Sequence, residues 1–273
     1  MEIIGYLASV LIGVSLGLIG GGGSILTVPV LVYLFGVDPV LATAYSLFIV
    51  GSTSLVGAWP KYRDGMVNLK TALIFGLPSI AAVYATRAYL VPLIPNPAFS
   101  VGGFSVSKAM LLMGLFAVLM VFASVSMIRT RKAVAAEAAE PQRFNYPMIL
   151  LEGCLVGVLT GLVGAGGGFL IIPALVLFSK LPMKQAVGTS LLIIAAKSLL
   201  GFTGDLHHYT FDWALLISVT ALAVLGIFLG NWLSRQVDGE KLKKAFGWFV
   251  LAMGIYILIK ELYLNPVASA GGH

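Results

Sequence analysis

The chain has 273 residues, of which 59% are hydrophobic and only 10% charged, with a mean hydropathy of +1.00. A water-soluble domain carries roughly a quarter charged residues, so this composition excludes one of any size. The net charge of +6 comes from Lys and Arg set mainly in breaks between apolar stretches, which reports membrane orientation rather than nucleic-acid binding.

In chain order, apolar segments are expected at about 3 to 19, 25 to 35, 39 to 58, 68 to 92 and 107 to 128. The first has Glu2 where a secretory signal has a basic start and shows no cleavage site, so it reads as a retained membrane helix. A charged break follows, residues 129–146, rich in Ala, Glu, Lys and Arg, expected as a surface helix or linker. Five more segments come at about 147 to 163, 169 to 179, 183 to 202, 211 to 234 and 245 to 264. The single cysteine, Cys154, lies within one of them and supplies no disulfide inside the chain.

The second five segments repeat the first. Shifting them back by 144 positions lays GLVGAGGGFLIIPALV on GLIGGGGSILTVPVLV without a gap, with 16 of 41 aligned pairs identical between Gly17 and Gly57. The breaks holding Lys61 and Arg63, the 129–146 linker, Lys180 with Lys184, and Arg235 to Lys244 are expected on the cytoplasmic side. The intervening breaks, 36–38, 92–105 and 205–210, contain neither Lys nor Arg and are expected outside, together with both termini. An odd number of segments per half then inverts the second repeat, a building plan of secondary transporters. The expected architecture is an all-α integral membrane protein with repeats at 1–128 and 147–273.

The second segment of each half is too short to cross. Residues 25 to 35 reach only about 16 Å at helical rise, against a hydrocarbon core of roughly 30 Å. Each short helix is preceded by a run of small residues: Gly20, Gly21, Gly22 and Gly23 in one half, Gly164, Ala165, Gly166, Gly167 and Gly168 in the other. Irregular backbone at that depth persists only where protein buries it or a wet cavity solvates it. Glycine permits the reversal, and the helix that follows presents unpaired N–H groups and the positive end of its dipole, which together cradle an anion. Close helix packing is the competing reading of these glycines. Neither run continues as a P-loop or a dinucleotide fingerprint.

The paired motifs GLIGGGGSILTVP and GLVGAGGGFLIIP, followed by ATAYSLF and AVGTSLL, resemble the sulfite exporter TauE/SafE family over essentially the whole chain. That resemblance implies a bacterial-type inner-membrane permease moving sulfite, sulfoacetate or related organosulfur anions outward.

Polar groups inside the segments extend the expected site. Ser24, Thr27, Thr43, Ser46, Ser52, Thr53 and Ser54, and in the second half Thr189, Ser190 and Ser198, either donate to an oxyanion or bond back to their own helices. The pairs Ser46 with Ser190 and Ser54 with Ser198 coincide in the repeat alignment. Charge at depth is costly unless partnered. Lys197 replaces Thr53 of the other half, as an anion attractor or as a snorkelling or carboxylate-paired lysine. Glu152 carries a coupling proton, pairs with Lys197 or lies at the interface. Arg87, aligned with Asn231, ligates a sulfonate or anchors the outer end of its helix. His207 and His208 gate entry or sit in a solvated loop. The site is thus expected from Gly21, Gly22, Gly23, Ser24, Ser46, Gly166, Gly167, Gly168, Thr189, Ser190 and Lys197, with Glu152 and Arg87 in coupling or gating. Nothing in the sequence pairs a nucleophile with a base or gathers metal ligands, so no enzyme, metal or cofactor is expected. The expected activity is anion transport by alternating access, with an anion channel as the alternative; the partners are the small anion, the bilayer and, in a dimer, a second copy.

Overall fold

A computed structural model describes residues 2–21, 23–101, 104–128, 146–177, 179, 181–234 and 239–261; the 129–145 stretch of the linker and Gly22 lie outside the described residues. Within them the chain forms ten helical segments. The first five are α1 (Glu2–Ile19), α2 (Ser24–Tyr33), α3 (Pro39–Arg63), α4 (Leu69–Leu93) and α5 (Lys108–Ile128). The second five are α6 (Tyr146–Val163), α7 (Gly168–Leu177), α8 (Met183–Thr203), α9 (Trp213–Leu233) and α10 (Gly239–Ile259). Five of these, α3, α4, α5, α8 and α9, are long and apolar enough to cross a membrane. Large apolar side chains such as Leu73, Leu77, Phe122, Phe228 and Trp232 on these helices, with Leu7 of α1 and Leu155 of α6, are exposed, as lipid-facing residues are.

Local chemistry sets the helix starts. Asp38 accepts from the Val40 and Leu41 amides to cap α3, and Asp212 does the same for α9 through Ala214 and Leu215. Asn68, the position equivalent to Asp212, accepts from Thr71 N to cap α4. Three features depart from the expected elements. α4 contains one π turn, Thr86–Leu90; the break after it holds a short antiparallel hairpin, β1 (Phe99–Val101) and β2 (Phe104–Val106); and α10 begins at Gly239, earlier than hydropathy places it, because a charged first turn hides its start.

Equivalent helices of the two halves pack against each other with opposed directions. A Cβ on Gly51 of α3 would meet Leu199 of α8, and one on Gly57 would come within 3.7 Å of Leu191. In the same way Gly254 of α10 faces Met120 and Ala117 of α5, while Gly247 faces Met127 and Ile128. α1 instead runs parallel to α9 along two facing pairs of glycines, Gly13 and Gly17 against Gly226 and Gly230. Its counterpart α6 lies along α4, with Gly153, Gly157 and Gly161 set against Pro78, Ser79 and Thr86. Small residues four apart let these backbones touch, which is how helices associate where no hydrophobic force acts between them.

The closeness of α1 and α9 gives a test. A Cβ on Gly13 would lie 1.8 Å from the Ala223 carbonyl oxygen, whereas one on Gly114 meets nothing within 4 Å. Helix propensity alone favours Ala over Gly by about 1 kcal/mol. Thermal unfolding in detergent is expected to show Gly114→Ala neutral or stabilising and Gly13→Ala destabilising by about 1–3 kcal/mol; equal effects would contradict the packing.

Candidate functional site

The two glycine reversals meet. In the first, Gly20 has φ +83°; in the second, Gly164, Gly166 and Gly167 have φ of +71°, +62° and +68°. These are left-handed conformations that side chains strain. A Cβ on Gly21 would stand 2.6 Å from Gly168 Cα, and a Cβ on Gly168 would stand 2.3 Å from Gly21 Cα. Gly20, Gly21, Gly23 and Gly164 to Gly168 are all buried. Gly166 packs on Val50 and Ile194, which lie near the middles of α3 and α8, so the reversals sit at mid-height of the two central helices. Glycine here serves both readings: it lets the chain reverse, and it lets two reversals touch backbone to backbone.

A buried lysine amine stands beside this contact. Lys197 is fully buried on α8, its Nζ donates to Thr160 Oγ1 at 3.0 Å, and Nζ lies 2.8 Å from where a Gly167 Cβ would be. Thr160 donates its own proton to the Gly157 carbonyl, 3.2 Å away. Among the described residues no carboxylate lies within ion-pair distance of Lys197. The amides of Gly166, Gly168 and Phe169 donate no hydrogen bond among the described residues, and the last two open α7. The Lys197 amine and the positive end of a helix therefore lie close together, an arrangement that suits an anion between them when the amine is protonated.

The hydroxyls divide. Ser24 donates to Gly21 O, Ser190 to Val187 O, Thr43 to Val40 O and Thr53 to Ile49 O, each bonding back to its own local backbone. Thr189 accepts from the Asn68 amide and so ties α8 to the start of α4. Ser46, Ser54, Ser198 and Thr27 are buried with hydroxyls that have no partner among the described residues. Of the repeat-matched pairs, Ser54 with Ser198 keeps both hydroxyls available, and Ser46 with Ser190 keeps one.

Charged groups elsewhere depart from expectation. Glu152 is half-buried, two turns before Thr160 on α6, and its Oε2 has no partner among the described residues, so the pairing with Lys197 is not made. Arg87 is not at a helix end in water: it is fully buried in the π turn of α4, with Nε 3.5 Å from Asp205 Oδ2. His207 and His208 are exposed in the turn just beyond. Close by, Tyr45, Phe48, Phe202, Phe211 and Trp213 form one aromatic cluster, with Phe202 and Phe211 centroids 4.9 Å apart. Their equivalents at the other end are Thr189, Leu192, Ala58, Val67 and Leu69, so one end of the α3–α8 pair carries an aromatic cluster whose aligned positions in the other have no aromatic residue. Burial, and then the Asp205 carboxylate, hold the Tyr209 phenol above its usual range, so it is a neutral group at physiological pH.

Thr160 and Asp205 were not among the expected site residues. Thr160 was findable: it aligns with Leu16, as Lys197 aligns with Thr53, and polar departures from a repeat mark added function. Asp205 lay in a break read as solvent-facing.

A family model described as Sulfite exporter TauE/SafE matches residues 5–257. A "Probable membrane transporter protein" of Xylella fastidiosa strain 9a5c is 32% identical over 254 residues, covering 91% of each chain. The Bacillus subtilis "Probable membrane transporter protein YdhB" is 28% identical over 252 residues, covering 91% of this chain and 96% of that one. "Probable membrane transporter protein YunE", from the same organism, is 27% identical, covering 90% and 93%.

The Lys197–Thr160 contact separates a structural lysine from a functional one. Thr160→Val leaves the ammonium without its partner and is expected to cost about 1–3 kcal/mol in thermal unfolding. Lys197→Met removes the buried charge and is expected to be neutral or stabilising, and in the double variant to cancel the Thr160→Val loss. A large destabilisation by Lys197→Met alone would mean that the lysine holds the fold.

Proposed function

Because the chain belongs to the sulfite exporter TauE/SafE family, we propose that this multi-pass membrane transporter is a secondary carrier of small oxyanions, with sulfite, sulfoacetate and related organosulfur anions as its class. The observation that carries this reading is the Lys197 ammonium, beside the N-terminal amides of α7, without a carboxylate among the described residues, at the contact of two glycine reversals. A site of that kind attracts an anion through one full charge and fixed backbone dipoles, and hydroxyls such as Ser198 and Ser54 complete its coordination.

The opposed directions of α3 against α8 and of α5 against α10 support two inverted repeats, 1–128 and 147–273, joined by the linker. In such a frame transport proceeds by rocking one repeat against the other, and the anion reaches Lys197 when Gly21 and Gly168 part. In this reading the aromatic cluster around Phe202 shuts that end in the described conformation, and that end faces outward from a bacterial inner membrane, as the lack of Lys and Arg in its breaks supports. Export is then entry from the cytoplasmic side. Glu152, whose Oε2 stands without a partner, is the coupling group in this scheme.

Flux of radiolabelled sulfite into proteoliposomes tests the reading. Wild-type flux is expected to saturate. Lys197→Gln is expected to raise the half-saturating concentration at least ten-fold, the cost of one charge-assisted contact of about 1.5–3 kcal/mol. Gly166→Val, whose Cβ alone would come within 2.5 Å of Val50, is expected to abolish flux at normal expression. Unchanged saturation in Lys197→Gln would remove the site from this place. In Glu152→Gln the pH dependence of flux is expected to flatten; a wild-type profile would exclude Glu152 as the coupling group.

A further inference from the structure

Arg87 and Asp205 form a second polar centre that the reading above does not use. Both side chains are fully buried and share an ion pair, Nε to Oδ2, of 3.5 Å. That separation is too long for an N–H···O hydrogen bond, whose range ends near 3.2 Å. Among the described residues, all three guanidinium nitrogens and both carboxylate oxygens lack a hydrogen-bond partner. Asp205 therefore neutralises Arg87 without satisfying it, and the planar fork of Nη1 and Nη2 remains directed at no acceptor. A buried guanidinium in that condition is suited to bidentate capture of an oxyanion.

Its surroundings fit entry from one face. Asp205 lies in the turn Gly204–His208, where Leu206, His207 and His208 are exposed, so the pair is one layer below the surface. Phe202 O accepts from Asp205 N and Asp205 O accepts from His208 N, which holds the turn over the pair by short-range bonds only. Gly204 is where the turn closes on Arg87, since a Cβ there would lie 3.1 Å from Arg87 Cβ. Lys108 lies within electrostatic reach of both Arg87 and Asp205, and Asp38 within reach of Lys108, so charges of both signs surround the pair. Arg87 itself sits in the π turn, a local widening of the helix that recurs at functional positions. The other half places Asn231 and Lys61 at the equivalent positions, without a guanidinium, so this centre belongs to one end of the molecule.

We propose that Arg87 is a second oxyanion station at the end of α4 and α8, occupied in the described conformation by Asp205 as a tethered competing anion. The ligand class is a small oxyanion able to present two oxygens to the fork: sulfite, sulfate or a sulfonate group. An anion arriving there displaces Asp205 from Arg87 and loosens the α4–α8 contact that the pair makes. This inference rests on the carrier reading for its role in transport, but the station itself is testable without transport.

Thermal unfolding of the detergent-purified full chain, titrated with sodium sulfate against sodium gluconate at equal ionic strength, reads the station directly. The titrations are run in the Lys197→Met background, which removes the central site. Asp205→Asn leaves Arg87 unneutralised, and is expected to unfold at lower temperature in gluconate and to recover with sulfate, at a midpoint at least ten-fold below that of the parent. The charge-neutral Arg87→Gln/Asp205→Asn pair is expected to lose the sulfate response. If Asp205→Asn gains no more from sulfate than its parent, or the double variant responds equally, the station does not exist. Should Asp205→Asn fail to fold in either salt, Arg87→Lys, which keeps the charge and loses the fork, takes its place; parent-like sulfate protection there would overturn the proposal. Removal of the whole sulfate response by Lys197→Met would likewise overturn it, whereas a response untouched by Lys197→Met in the wild-type chain, and lost with Arg87, would sink the central site and leave this one standing.

Discussion

Backbone N–H and C=O groups find no water in the hydrocarbon core, so a chain that reverses halfway through a membrane must bury that reversal in protein. Here two reversals bury each other. Gly21 and Gly168 touch at the Cα, Gly166 lies on the middle of the central helix pair, and the short helices α2 and α7 leave from the contact. α3 and α8 run beside it, and the outer helices α1 and α9 come together through their facing glycines.

The repeat alignment is broken at a few polar positions. Where one half has Leu16 and Thr53, the other has Thr160 and Lys197, and these two exchanges place a hydrogen-bonded lysine beside one of two similar helix starts. Arg87 against Asn231 is another such exchange, with Asp205 against Lys61 completing it. In the proposed carrier, a frame of two inverted repeats would supply two related conformations of similar energy, with the exchanges setting where charge is met along the way.

Much of this was legible in the sequence, because hydropathy and duplication act over many residues at once. The ten segments, the two short ones among them and the alignment of the halves follow from composition that no single contact decides; most helix ends fall within two or three residues of the expected positions, with α3 running five residues further, to Arg63, and α10 beginning six residues earlier, at Gly239. The glycine runs and Lys197 were legible for the same reason, being departures from an otherwise apolar background. What was not legible depends on pairing across distance. Arg87 reads as a helix-end cation until Asp205 is brought beneath the same turn from over a hundred residues away. Whether Ser24 or Ser190 is free or spent on local backbone, and whether Thr189 is tied to the start of another helix, is set by rotamer and register, to which residue type is blind. The hairpin at Phe99–Val106 pairs residues that a hydropathy window averages away.

The central claim is that the two reversals enclose an anion next to Lys197. Selenite, the selenium counterpart of sulfite, scatters X-rays anomalously, and a crystal structure of the protein grown with it locates the ion independently of any assay. The account predicts an anomalous peak within hydrogen-bonding reach of Lys197 Nζ and the first amides of α7, with Gly21 and Gly168 drawn apart. Selenite bound elsewhere while the two glycines remain in contact around an empty centre would contradict it.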